Sequence, residues 1–195
     1  MKRIYREIGN PTSEQLERAL RRDKLRKETR KAVANALATL LVFAAAAVLI
    51  STLLLPVAQV QKGSMNPTLY DGEVLIFDTV GSINKGDIIA FRYNNQLLIK
   101  RVIATAGDKI DISGDGTVLL NDAMLSEPYV TQPDLGECTI KLPLNVPRDQ
   151  YFVMGDHRAT SLDSRSADIG LISREQVVGK LLLRVWPLSK FGAPR

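Results

Sequence analysis

Ser64 lies in a tight Gly63-Ser64-Met65-Asn66-Pro67-Thr68-Leu69 turn, and Lys100 lies further on in an apolar run, Leu97-Leu98-Ile99-Lys100-Arg101-Val102-Ile103. Gly63 lets a backbone approach closely and Pro67 stiffens the turn. The Ser64 hydroxyl is then held out, with its own N–H available to an oxyanion. Strand alternation points Leu98 and Lys100 to one face. An amine on an apolar face loses its water, which disfavours the charged form and lowers its pKa. A neutral amine takes the proton of a Ser hydroxyl, and a charged one cannot. Together the two residues read as nucleophile and general base of a hydrolase. Taken singly, each also reads as an ordinary turn serine or a lysine on a solvated strand face. Arg101 faces the other way from Lys100, as an exposed or an ion-paired side chain.

A third polar cluster, Met154-Gly155-Asp156-His157-Arg158-Ala159-Thr160-Ser161-Leu162-Asp163-Ser164-Arg165, follows directly on a strand pattern. Ser161 is placed to orient the Lys amine by a hydrogen bond, and Asp163 and Arg165 to fix the loop as an ion pair. The alternative is a polar surface loop. His157 is the only histidine, so a Ser-His-Asp triad would have to use it, yet no orienting carboxylate is dictated by spacing and a Lys base is at hand. Cys138 is the only cysteine: it forms no internal disulfide and belongs to no zinc-type spacing. Its loop, with Pro133 and Gly136, has no histidine nearby in sequence, which argues against a Cys nucleophile.

The elements that carry these groups follow from charge and hydropathy. The chain has 195 residues and a net charge of +5, a length that suits one membrane segment and one domain. Residues 1–31 hold 11 Lys/Arg against 5 Asp/Glu, a net +6 that leaves the remainder at −1. The basic character therefore belongs to the tail, and the folded part offers no nucleic-acid signal. From Ala32 to Val60 no residue is charged, and Leu37 to Leu55 is interrupted only by Thr39, Ser51 and Thr52. About 20 apolar residues cross the hydrocarbon core as a helix. Residues 32–56 thus read as a transmembrane helix ended by Pro56, with the lipid bilayer as partner. Arg30 and Lys31 abut it, and no Lys or Arg follows until Lys62. The positive-inside bias then makes residues 1–31 a basic cytoplasmic tail and residues 57–195 an extracytoplasmic domain.

That domain reads as all-β. Val57–Gln61 alternates and begins a strand. Val74–Phe77, Asp87–Tyr93, Leu97–Ala104, Asp108–Ile112, Thr117–Leu120, Tyr151–Met154 and Val178–Trp186 are further strand candidates, roughly eight in all. Asn94-Asn95 and Gly114-Asp115-Gly116 mark hairpin turns. Ser173 followed by Gln176 has the capping-box pattern of a short helix.

Read in order, the three polar segments closely resemble those of the bacterial type I signal peptidases. The turn around Ser64 is similar to that family's nucleophile segment. Lys100-Arg101-Val102-Ile103-Ala104-Thr105-Ala106-Gly107-Asp108 resembles its general-base segment, and Gly155 through Arg165 its last conserved segment. Gly86-Asp87-Ile88-Ile89-Ala90-Phe91 is similar to the intervening strand. Three ordered segments are far more specific than one short motif.

The resemblance implies an all-β Ser-Lys peptidase behind one membrane anchor, which removes signal peptides from exported precursors without metal or organic cofactor. Ser64 would be nucleophile, Lys100 general base and Ser161 the partner of the Lys amine. Asp156, Asp163, Arg165 and Arg101 would shape the site. The family cleaves after small residues at −1 and −3, the Ala-X-Ala pattern, with the substrate added as an extended strand. Val60, Met65, Leu98 and Ile99 would wall its pockets. Two positions depart from the pattern: Lys62 stands where a hydroxyl residue often completes the oxyanion hole, and His157 stands for the usual Asn. The compactness fits single-span forms common in Gram-positive bacteria. Two other readings stay open at this level, a membrane-tethered β-rich binding module and a Ser-Lys peptidase specialised for one substrate such as a pilin.

Overall fold

The structure is a computed structural model that describes residues 12–194, so the first eleven residues of the expected basic tail lie outside the described residues. The chain divides into two units, one up to Ile50 and one from Ser51 onward. A single helix, α1, runs from Ser13 to Leu54. Thr12 closes its first turn, its carbonyl accepting from Gln15 N–H at 3.0 Å while its own N–H donates to Gln15 Oε1 at 3.3 Å. The charged stretch is helical as well, laced by Glu14–Arg18 and Asp23–Lys27 pairs one turn apart. Further along, Leu40, Leu41, Val42 and Phe43 are all more than 60% exposed. Four successive residues point in four directions about 100° apart, so this stretch is apolar all round. Thr39, the polar interruption within it, donates its hydroxyl to Asn35 O at 2.9 Å and leaves no free O–H donor. Among the described residues this is the one helix long and apolar enough to cross a membrane. Pro56, two residues past its end, disfavours a further helical turn.

The regular structure of the second unit is almost entirely strand. In chain order these are β1 (Val57–Gln59), β2 (Val74–Asp78), β3 (Ile88–Tyr93), β4 (Gln96–Ala104), β5 (Lys109–Ile112), β6 (Val118–Leu120), β7 (Ala123–Met124), β8 (Leu144–Asn145), β9 (Gln150–Met154), β10 (Ile172–Ser173) and β11 (Val177–Trp186). The eight expected strands are present to within two residues at each end; the two-residue strands β7, β8 and β10 are additional. A seven-stranded sheet has the order β1-β2-β11-β3-β4-β9-β10, and a four-stranded sheet the order β7-β6-β5-β8. The turn at Asn94-Asn95 has φ of 45° and 61°, the paired left-handed geometry of a tight hairpin, and it sets Tyr93 opposite Gln96. That register puts Lys100 opposite Ile89 and Leu98 opposite Phe91. At the capping-box segment, Ser173 N–H donates to Gln176 Oε1 at 2.8 Å over a single 3-10 turn, Arg174–Gln176.

Three apolar clusters hold the sheets. Val60, Met65, Leu69, Leu75, Phe77, Ile88, Ala90 and Ile99 form one cluster, which takes in residues of the Gly63–Leu69 turn. Ile89, Phe91, Val102, Val153, Ile169 and Ile172 pack on the other side of the central strands. Ile103, Ala104, Phe152 and Met154 join the small sheet through Ile110, Ile112 and Val118. Strand β4 passes through all three, so the residue it carries at position 100 is fixed by most of the core. On its far side β4 is joined to β9 only from Arg101 to Ala104. Among the described residues, Gln96–Lys100 have no strand on that flank.

Candidate active site

The loop between β1 and β2 carries Ser64. Its base is closed by Val60 N–H to Glu73 O at 2.8 Å and Gly72 N–H to Val60 O at 3.0 Å. Met65 and Leu69, at most 1% exposed, anchor it from below. Within it Asn66 N–H returns to Gly63 O at 3.1 Å, and the Asn66-Pro67 bond is cis. Ser64 itself stays partly exposed, and among the described residues its N–H has no protein acceptor. Lys62 is exposed with φ of 67°, and its N–H is tied to Asp71 Oδ1 at 2.9 Å.

Lys100 is buried, and its Nζ lies 2.7 Å from Ser64 Oγ. Burial pushes the amine down from 10.5 to about 8. Asp163 pulls the other way, Arg165 opposes that, and Asp156 and Lys62 add smaller effects of opposite sign. The surrounding charges largely cancel, which leaves desolvation in control.

Three of those charges, Asp163, Arg165 and Asp156, belong to clasped pairs, whereas Lys62 is exposed. Arg165 meets Asp163 through Nε at 2.8 Å and Nη2 at 2.9 Å, both side chains fully buried. The remaining Arg165 N–H groups donate to Asp134 O, Leu135 O and Arg158 O. Asp163 Oδ2 also accepts Gly155 N–H at 3.0 Å. Arg101 clasps Asp156 through Nε at 2.9 Å and Nη2 at 2.7 Å. It is buried, the ion-paired of its two expected states. Thr68 of the turn that carries Ser64 donates its hydroxyl to the same Asp156. Gly155 lies against the turn so closely that a Cβ there would overlap the Ser64 carbonyl oxygen and Ser161 Oγ. His157 N–H donates to that Ser64 carbonyl at 3.1 Å.

The fold thus gathers Ser64, Lys100, Arg101, Asp156, Ser161, Asp163 and Arg165 from three distant segments. Val60, Met65 and Ile99 share one apolar cluster, whereas Leu98 is half-buried in another. The hydrogen bond expected between Ser161 and the Lys amine is not formed: the amine is engaged with Ser64, and Ser161 Oγ is buried without a hydrogen-bond partner among the described residues. His157 is exposed, with Nδ1 2.6 Å from Thr160 Oγ1. Two groups escaped sequence reasoning. Glu127 accepts both terminal nitrogens of the buried Arg158, and Tyr129 lies over Arg101. No charge count in the sequence signals Glu127: the segments bring three arginines, 101, 158 and 165, and three aspartates, 108, 156 and 163, and only the structure shows that Asp108 is held by Lys85 and Asn121, so that Arg158 needs a further anion.

Chemically, an unprotonated amine against an accessible hydroxyl can generate an alkoxide-like nucleophile for acyl transfer. The comparisons with known proteins agree in kind. The sequence model of the family described as signal peptidase, peptidase S26, matches residues 33–186. Signal peptidase IB of Staphylococcus aureus (strain COL) is 36% identical over 149 residues, covering 66% of this chain and 76% of that protein. Signal peptidase I of Bacillus licheniformis is 35% identical over 157 residues, covering 74% and 83%. The crystal structure of a signal peptidase I from Enterococcus faecalis V583 aligns over 52% of this chain and 98% of that one, at 30% identity and a TM-score of 0.44.

The buried amine has a consequence for stability. Below its folded value of about 8 the protein must hold a charge where burial disfavours it; that penalty fades as pH rises toward 10.5. Lys100→Met is expected to be more stable than wild type by about 2 kcal/mol at neutral pH, with the gain vanishing in alkali; melting in detergent across this range checks it. Asp163→Ala strands Arg165 in the interior and should destabilise by about 3–5 kcal/mol in the same measurement.

Proposed function

The chain belongs to the signal peptidase family, peptidase S26, and from that premise we propose that it cleaves signal peptides from exported proteins with Ser64 as nucleophile and neutral Lys100 as general base. It is a serine endopeptidase, a hydrolase of the signal peptidase I kind. The observation that carries the dyad is the 2.7 Å approach of a buried Lys100 Nζ to Ser64 Oγ.

With the amine neutral, the Ser64 O–H donates across that distance to the Nζ lone pair. Oγ attacks the scissile carbonyl as Nζ takes the proton, and the carbonyl electron pair moves onto oxygen. The Ser64 N–H faces that oxyanion. The ammonium then returns its proton to the departing amine as the C–N bond breaks, leaving an ester on Ser64. In the second half Nζ deprotonates a water that attacks the ester, and Oγ leaves with the proton. Once Oγ is esterified it is a poorer partner for the amine, and Ser161 Oγ becomes the orienting group. Asp163 and Arg165 hold the Gly155 backbone against Ser64, and Asp156 and Arg101 hold Thr68. Lys62, exposed and with its N–H already used, leaves the Ser64 N–H as the main oxyanion donor.

The unpaired flank of β4, Gln96–Lys100, would take the substrate as an added strand ending at the dyad. Alternate side chains of a strand share a face, so the −1 and −3 residues turn inward together. Val60, Met65 and Ile99 are buried there and Leu98 half-buried, which suits small side chains and an Ala-X-Ala preference. The enzyme would sit in the cell membrane with residues 1–31 cytoplasmic, residues 57–195 outside, and signal-peptide-bearing precursors as its partners.

A precursor with an Ala-X-Ala site, offered in detergent, tests the reading. Ser64→Ala and Lys100→Ala should each lose at least about a thousandfold in kcat/KM while melting cooperatively. Lys100→Arg should be equally inactive, because a guanidinium keeps its proton. Activity retained in any of these three would overturn the dyad. The rate of the wild-type enzyme should rise with pH through about 8 and then level, since the protonated amine is the inactive form. A profile flat into acid contradicts a lysine base.

A further inference from the structure

Arg101, the neighbour of Lys100, has four of its five guanidinium N–H groups engaged. Nε and Nη2 clasp Asp156, Nη1 donates to Gly86 O at 2.9 Å, and Nη2 also reaches Thr68 Oγ1 at 3.4 Å. Its flat face is weakly hydrated and accepts an aromatic ring. Tyr129 covers that face, with the guanidinium carbon 3.9 Å from the ring centroid. The ring is itself held: its hydroxyl donates to Glu127 Oε1 at 2.9 Å. Glu127 accepts Arg158 Nη1 at 2.9 Å and Nη2 at 2.5 Å, and Arg158 Nε donates to Gly155 O at 3.1 Å. Gly155 is the residue that packs on Ser64. A segment outside all three site segments thus reaches both sides of the dyad, Arg101 by its ring and Gly155 through Glu127 and Arg158.

We propose that Tyr129, braced by Glu127, is a positioning residue of this peptidase: its ring seals the Arg101–Asp156 clasp from water and thereby helps keep Lys100 a neutral base. The proposal rests on the Ser-Lys reading and adds to it a residue that touches neither substrate nor dyad. The charges facing Lys100 are Asp163, Arg165, Asp156 and Lys62. Asp156 favours the protonated amine, and Arg101 offsets Asp156 only while the clasp is closed. Without the ring, water reaches the guanidinium and the clasp loosens. The unbalanced Asp156 charge and the added hydration then act in the same direction, toward the charged amine. Burial, with Glu127 beside it, holds the Tyr129 phenol well above its ordinary range, so the ring is uncharged wherever the enzyme is assayed.

The test is kcat and KM against pH for the full chain in detergent with an Ala-X-Ala precursor, comparing wild type, Tyr129→Phe, Tyr129→Leu and Lys100→Ala. Tyr129→Phe keeps the ring face and should follow the wild-type profile. Tyr129→Leu keeps bulk without a π face. Its rising limb should move up by about half to one pH unit, with kcat roughly three- to tenfold lower at neutral pH, recovered in alkali, and KM little changed. A Leu profile that overlays wild type, a Phe profile shifted as far as Leu, or a loss that alkali does not restore would overturn the proposal. Lys100→Ala separates the two levels: if it is inactive, such a result removes the Tyr129 role alone, and if it still cleaves, the dyad and the proposal fall together.

Discussion

An amine has been taken out of water and set against a hydroxyl, and much of the second unit is arranged to make that tolerable. Lys100 is a residue of a strand that runs through all three apolar clusters, so it cannot turn outward without dragging the core with it. Its surroundings offer a near-balance of charge rather than a counter-ion. A single dedicated carboxylate would restore the charged form; balanced pairs leave the lone pair exposed to Ser64. Desolvation thus sets the amine near 8 where proximity to aspartates alone would have raised it.

The balance is built from arginine clasps. Arg165, fully buried, spends its donors on Asp163 and on backbone carbonyls of two loops. Arg101 ties the strand bearing Lys100 to Asp156, and Thr68 ties the nucleophile turn to the same carboxylate. Arg158 joins Glu127 to the Gly155 carbonyl. A buried ion pair adds little net stability, but one partner alone is costly, so each clasp fixes a geometry more than it strengthens the fold. Gly155 completes the fit: with no side chain, its backbone can press on Ser64, and His157 N–H orients the serine carbonyl.

Much of this arrangement was legible before any coordinates. Alternation in Leu97–Ile103 put Lys100 on an apolar face, and the register opposite Ile89 places it there. Asn94-Asn95 announced its hairpin through residues that tolerate positive φ. Strands of two residues, β7, β8 and β10, are too short to display a period, and they are positioned by their neighbours rather than by themselves. The charged part of α1 read as a basic tail, and its one-turn acid–base pairs carry a helical spacing. Glu127 and Tyr129 sit in a stretch without periodicity, and their partners are about 30 residues away in sequence, so neither carries a signal there. The Ser161 hydrogen bond followed from segment order alone, and segment order does not determine which neighbour an amine chooses.

The open flank of β4 reaches beyond binding. A substrate that pairs with the backbone groups of Gln96–Lys100, as proposed, must have its own amides free over several residues. A polypeptide already folded around its cleavage point has none to offer. On that reading access to Ser64 would be a question of timing: the bond would be available while the passenger protein is still emerging as unstructured chain, and closed to the enzyme once folding has claimed that stretch. An edge left unpaired beside Ser64 would then make processing a race against the maturation of the protein being processed.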